Sequence, residues 1–197
     1  TLLRVLASTL RMTSGTVRVA GLDWRRNPRE IRSRIGVISH STYLYSDLTA
    51  AENLEFFARL YGLPDPGAAA DRWLVAMELD DRADDPAAAF SRGMTQRLSL
   101  ARSLVHDPEI VFLDEPFSGL DPHAATVLRA TLDRLRSEGR TLVTVTHDIP
   151  LGLEISDRWI LLHRGRIVDE GPSAGVDGER FKAERFAATG RARGVRS

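Results

Sequence analysis

The chain has 197 residues, 43% hydrophobic and 27% charged, with 27 Lys plus Arg balanced by 27 Asp plus Glu and no cysteine. That size and balance suit a folded domain with its own core, exclude disulfides and thiolate metal sites, and supply no net field to draw in nucleic acid, so none is expected as a partner. No apolar run approaches the ~20 residues that cross a bilayer, so a membrane role is expected to come through another protein.

The opening Thr1-Leu2-Leu3-Arg4-Val5-Leu6, with Leu10, sets apolar residues along one helical face, and no capping residue stands before it. The helix reads as cut at its first turn. A strand is expected over 14–21, a short helix over 28–34, a buried strand over 35–39 and a polar, aromatic loop over 40–48. Thr49 and Glu52 have capping-box spacing and open a helix over 51–62, with Gly62 as its stop and Pro64 beyond. A second helix follows over 68–79, then an alanine- and aspartate-rich connection over 80–89, then a helix from 92 ended by Asp107-Pro108. The wholly apolar run 110–113 reads as a central parallel strand covered on both faces. An amphipathic helix over 123–139, a strand over 141–146, a helical turn or two over 149–156 and two strands over 158–171 come next, then a loop and a last helix over 172–190. Strands alternating with helices give an α/β sheet. The purely helical stretch of about 41–107 reads as an inserted lobe within a single domain over 1–197, and the arginine-rich "RARGVRS" as a charged terminus.

Chemistry concentrates in "IVFLDEPFSGLDP". A buried strand delivers Asp114 and Glu115 at its carboxyl end, where open α/β sheets place their ligands. Asp114 can hold Mg²⁺ directly or through water, since that hard cation takes oxygen ligands and keeps several waters. Glu115, beside it, can orient and deprotonate an attacking water.

"FSRGMTQRLSLARSL", then "FLDEPFSGLDP", then "TLVTVTHD" resemble, in that order and spacing, the ATP-binding-cassette (ABC) ATPase family, and the resemblance covers essentially the whole chain. It implies a P-loop NTPase-type, mostly parallel sheet flanked by helices with an inserted helical lobe. It also implies MgATP as ligand, a head-to-tail dimer with a second ABC subunit, a transmembrane permease as partner, and a place on the inner face of the cell membrane through that permease. Ser91 and Gly93 stand in the family's signature motif, whose surface binds the γ-phosphate of ATP held by the opposite subunit. A hydroxyl-bearing turn opening a helix is a natural anion site. Phe90, Arg92 and Met94 depart from the commonest form of the motif. Asp121 falls in the loop that links the two ATP sites of the dimer, and Asp121-Pro122 also reads as the start of a helix. His147 matches the histidine that bonds the γ-phosphate and steadies the attacking water and Glu115.

Two family elements lack a counterpart. The phosphate-binding loop needs a lysine, and the single lysine, Lys182, lies past every other motif. "TLLRVLA" matches the residues just after that loop, so the loop and the first strand are expected upstream of Thr1, itself a nucleotide-side residue. The chain alone is therefore expected to bind MgATP poorly and not to hydrolyse it. The family's loop glutamine, which touches Mg²⁺, is matched by Ser41. A serine hydroxyl can approach a metal on a shorter arm. Gln96 belongs to the signature helix and is not expected to substitute. Tyr43, Tyr45, Phe56, Phe57 and Tyr61 suit either the docking of a partner helix or the lobe's own core.

Within the family the lobe resembles the haem-exporter ATP-binding subunit of cytochrome c maturation, with ABC-2-type efflux ATPases next. The alternatives are a soluble ABC ATPase of DNA repair or translation, whose long coiled coils or tandem cassettes have no counterpart here, and a non-catalytic remnant.

Overall fold

A computed structural model describes residues 2–39, 41–181 and 183. Leu3–Thr144 form one compact unit and the chain from Val145 a second, and each is described by itself. Thr1, His40, Lys182, the arginine-rich tail and most of the last expected helix lie outside the described residues.

The first unit opens with α1 (Leu2–Leu6), which is shorter than its apolar pattern because Ser8 takes a positive φ of 59°. The strand expected over 14–21 is instead a small hairpin of β1 (Arg18–Val19) and β2 (Leu22–Asp23), because Ala20 and Gly21 both adopt positive φ. A pair of left-handed residues is what a two-residue hairpin turn requires. Helix α2 (Pro28–Arg34), with proline in its first turn, runs directly into β3 (Ile35–Ile38). After the 39–48 loop come α3 (Ala50–Leu60), α4 (Pro66–Ala76), two short 3-10 turns at Asp80–Arg82 and Ala87–Ala89, and α5 (Arg92–Leu104). Then follow β4 (Ile110–Asp114), α6 (Pro122–Ser137) and β5 (Thr141–Val145).

Strand β4 is central, in the order β3-β4-β5, and runs parallel to β3 with Ile35 opposite Ile110 and Ile38 opposite Leu113. Its alternation explains the unbroken apolar run. Val111 and Leu113 join a core shared with α3, α4, α5 and α6, while Phe112 joins Leu3, Val19, Trp24, Ile31 and Ile35 on the other face. Both sides of the strand are dry, so neither can carry polar side chains.

The capping box forms as read: Glu52 N–H donates to Thr49 Oγ1 at 3.1 Å, and Thr49 N–H donates to Glu52 Oε2 at 2.8 Å. Buried Asn53, one turn on, organises the loop before it. Its amide nitrogen donates to the carbonyls of Tyr45, Leu48 and Thr49, and its oxygen accepts from Tyr45 N–H. The aromatic residues divide between the two roles left open. Phe57 packs against the core, whereas Tyr43, Tyr45 and Phe56 are exposed, with Tyr45 edge-on to Phe56 at 5.0 Å.

His106 lies near the end of this helical stretch, stacked on Tyr61 at 3.7 Å with its Nε2 2.9 Å from the Ile35 carbonyl. Burial lowers its pKa from 6.5 to about 4; the Ile35 bond and Asp107 oppose that fall and Arg102 adds to it. Between those values the unfolded chain takes up a proton that the folded chain refuses. Its contribution to stability is therefore complete above pH 6.5 and lost as the pH falls toward 4, on the order of 3 kcal/mol in all. Urea unfolding at pH 7.5 and pH 5 is expected to show the loss. His106→Gln, which keeps a donor for the Ile35 carbonyl, should flatten that part of the slope.

In the second unit, α7 (Ile149–Ile155) is capped by Asp148, which accepts from Leu151 N–H at 3.1 Å. Strands β6 (Arg158–His163) and β7 (Arg166–Pro172) form an antiparallel hairpin around Arg164-Gly165, the turn read from the sequence. No described helix is long and apolar enough to cross a membrane.

Candidate functional site

The end of β4 fixes the two acids. Asp114 is the last strand residue and Glu115 the first beyond it, both half-buried. Glu115 has a φ of 51°, a region that residues with a side chain enter at a cost and that clusters at functional positions. The left-handed step ends the strand abruptly and turns the chain, closed by a Ser118 N–H bond to the Glu115 carbonyl at 3.0 Å.

Asp114 and Glu115 line a cavity of about 450 Å³ whose other walls are the end of β3 and one face of α5. Small polar residues hold those walls together. Ser103 Oγ donates to the Val37 carbonyl at 2.9 Å and Ser99 Oγ to the Thr42 carbonyl at 3.3 Å. A Cβ at Gly36 would lie 2.7 Å from the Ser103 carbonyl oxygen, so the absence of a side chain lets β3 press against α5.

Ser91 is the N-cap of α5, its Oγ accepting from Met94 N–H at 3.3 Å, and Asp121 is the N-cap of α6, its Oδ1 accepting from Ala124 N–H at 2.8 Å. The two helix starts interlock. A Cβ at Gly93 would collide with the Asp121 carboxylate, and one at Gly119, whose φ is 71°, would lie 2.6 Å from a guanidinium nitrogen of Arg92. Ser91, Gly93 and Asp121 thus form one continuous surface.

His147 follows β5 and is exposed in the second unit, and Thr1 lies outside the described residues. Ser41 is exposed and is not part of the cavity wall, where Ser39 and Thr42 stand instead. Beyond β3 the backbone turns through Tyr43 at a φ of 52°, and it is Thr42 that Ser99 ties to α5. Gln96, set aside from the sequence because it belongs to α5, lines the same cavity as the two acids. Its Oε1 is buried and has no hydrogen-bond partner. No sequence pattern could have announced this, because it depends on the rotation of α5 against β4.

Among the described residues no group of three or more His, Cys, Asp or Glu could hold a metal. An ion here would lean on water and on a ligand's own oxygens, which is the habit of Mg²⁺. The two carboxylates at the strand end fit that ion, with Asp114 to hold it, and the Arg92 guanidinium shares the cavity wall. When bound, it would neutralise charge building on a phosphate.

The model of a family described as ABC transporter matches residues 1–118. The chain is 34% identical over 174 residues to the ABC transporter ATP-binding protein NatA of Bacillus subtilis, covering 87% of this chain and 71% of the relative. It is 42% identical over 151 residues to a fluoroquinolones export ATP-binding protein of Mycobacterium tuberculosis, covering 74% of this chain and 49% of that protein. The chain thus spans about half to seven-tenths of the length of these curated relatives. Among solved structures it superposes on an ATP-binding cassette determined as a post-hydrolysis dimer with ADP and Pi, with a TM-score of 0.77 and 25% identity over 89% of this chain and 80% of the other.

Proposed function

The chain belongs to the ABC transporter family of ATPase domains, and from that premise we propose that it serves as the ATP-hydrolysing subunit of an efflux transporter. The observation that carries the reading is the pair of acids at the end of the central strand, over a polar cavity and beside the interlocked starts of α5 and α6. Glu115 takes the proton of the attacking water, and Asp114 holds the magnesium that accompanies ATP. Ser91 and Gly93 offer a hydroxyl and an amide at a helix N-terminus, donors suited to a phosphate brought by a second subunit. Asp121 stands at the same junction, and His147 takes the role that the family resemblance gives it, bonding the γ-phosphate and steadying the attacking water. The whole works as one cassette domain over 1–197 with a helical lobe at about 41–107.

Tyr43, Tyr45 and Phe56 give the lobe an exposed aromatic face suited to a helix of a membrane permease, which would hold the subunit at the inner face of the membrane. Export is favoured over import by the name of the Mycobacterium tuberculosis relative. Haem export for cytochrome c maturation is the narrower form of this proposal and rests on the sequence of the lobe.

The test is ATP-dependent pairing, measured by sedimentation on the chain supplied at its amino end with the phosphate-binding loop of its family. With Glu115→Gln present to slow turnover, ATP should drive monomers to dimers. Adding Ser91→Arg, which removes the cap and fills the phosphate surface, should leave them monomeric while the thermal melt shows a folded domain. Dimers that persist with Ser91→Arg would remove the signature turn from the interface. Monomers throughout would contradict the paired arrangement.

A further inference from the structure

The even charge of the whole chain hides an uneven distribution. Residues 2–34 carry eight arginines against two acids, Asp23 and Glu30, whereas residues 65–85 of the helical lobe carry seven acids against two arginines. The basic stretch folds into one layer, made of α1, the β1-β2 hairpin and α2, on the Phe112 side of the sheet. Trp24 Nε1 donates to the Leu6 carbonyl at 3.0 Å, and Arg32 Nη2 donates to Ser8 Oγ at 3.2 Å, so hairpin and α2 are both tied to α1 and the turn after it. Ile31 is buried in the core beneath. Arg29 and Arg32, three residues apart on α2 and so neighbours on its surface, are exposed, as are Arg25 and Arg26 just before the helix and Arg4 on α1.

The two acids are already engaged. Glu30 pairs with Arg34 at 2.7 Å, and Asp23 accepts from Arg25 N–H at 2.8 Å while standing opposite Arg18 in the hairpin. Among the described residues Arg4, Arg25, Arg26 and Arg29 form no ion pair, unlike Arg59, Arg82 and Arg158, which meet Glu55, Asp85 and Glu170. Like charges gathered on one face repel, and an anionic partner relieves the repulsion. Surfaces that hold nucleic acid add exposed rings for stacking or a helix fitted to a groove. Here Trp24, the single aromatic residue of the layer, is buried, and α2 has only seven residues. A lipid leaflet asks for charge alone, and the guanidinium fork suits its phosphates. Burial raises the pKa of Tyr61 beside the end of α3, and Arg102 and Arg32 oppose that rise. The basic layer is thus within electrostatic reach of the helix that carries the exposed Phe56.

We propose that this layer lies against the phosphate headgroups of an anionic lipid leaflet, with Arg25, Arg26 and Arg29 making the contact. The assignment rests on the reading of the chain as a transporter subunit at the membrane, and it adds to the permease a second, weaker hold on the lipid itself. Arg32, engaged with Ser8, contributes through its charge. The attraction belongs to this layer alone, because an anionic surface repels the acids of residues 65–85.

The test sediments the 197-residue chain with vesicles of phosphatidylglycerol and, separately, of phosphatidylcholine, without nucleotide or permease. Binding is expected to the first and not to the second, and it should fade as salt rises. Arg25→Gln, Arg26→Gln and Arg29→Gln should each weaken it about fivefold and together about a hundredfold, the share of a cation near an anionic surface. Their thermal melts should match that of the parent, because none of the three is ion-paired. The same loss of charge taken at Arg59, Arg82 and Arg158 should leave binding nearly unchanged. An equal loss from that control set would mean that net charge, not this face, does the binding, and overturns the proposal. Equal uptake by both lipids, or uptake by neither, overturns it too. A chain that leaves the vesicles for an equal phosphate concentration of duplex DNA gives the face to nucleic acid and overturns it as well. None of these outcomes touches the ATP-driven pairing that tests the ATPase reading, and loss of that pairing leaves vesicle binding in place, so the two failures stay distinguishable.

Discussion

Replacing Glu115 with Gln is expected to lower ATP turnover about 10²- to 10⁴-fold, the span that one positioned proton-transfer group contributes, while ATP-driven pairing of two chains survives. Glutamine keeps the length of the side chain and one oxygen to orient water, but it cannot accept a proton. The left-handed backbone at this position is set by the end of β4 and the bond from Ser118 N–H to the Glu115 carbonyl, neither of which involves the carboxylate. The substitution should therefore leave the fold and the cavity in place. Phosphate release, measured on the chain carrying its family's phosphate-binding loop, should collapse, and sedimentation with ATP should not. Turnover close to that of the parent would mean that another group takes the proton.

Trp73→Ala is expected to cost about 3–5 kcal/mol of folding stability, the usual toll of emptying a large aromatic site. Trp73 lies on α4 at 3% exposure, within the core that joins the helical lobe to the central strand. Arg134 of α6 sits over its ring at 5.1 Å and Arg72 at 6.0 Å. The indole N–H has no hydrogen-bond partner, so what the side chain contributes is volume and a face for the arginines. Trp73→Phe keeps most of both and loses nothing at the nitrogen, so it should cost well under half as much. Urea unfolding of the two variants decides the matter: equal losses would mean that the indole nitrogen is bound after all.

Elements whose causes are local were legible in the residues. Pro28 starts α2 where the helix was read, Thr49 and Glu52 cap α3, and the apolar run after Glu109 is the central strand because both of its faces are covered. Where reading and structure part, a backbone choice or a distant contact decided. Ala20 entering the left-handed region turned an expected strand into a hairpin, and Ser8 doing the same cut α1 short. Helix α4 starts at Pro66, before its apolar stripe begins, because Asp65 caps it by accepting from Ala68 N–H at 3.0 Å. Around the cavity, the acids followed from their place at a strand end. Gln96, Ser39 and Thr42 did not, because a side chain on a helix or loop faces a cavity only through packing that its own neighbours in sequence do not encode. Asn53, which ties down the loop before α3, escaped notice for the same reason.

The close fit of the α5 start against the loop before α6 has a consequence for how this sequence can drift. Position 93 has no room for a side chain while the Asp121 carboxylate keeps its place, and at position 119 a side chain would have to push aside the tip of Arg92. Position 93 is thus held bare by a residue of the opposite segment, whereas position 119 is held chiefly by its positive φ. An alanine at 119 would have to displace the tip of Arg92, which a rotamer change allows, and would still have to accept a positive φ. A larger residue at 93 demands that α6 find a different cap. Positions 93 and 121 should therefore vary together, a linkage that a double-substitution cycle on stability would register as non-additive.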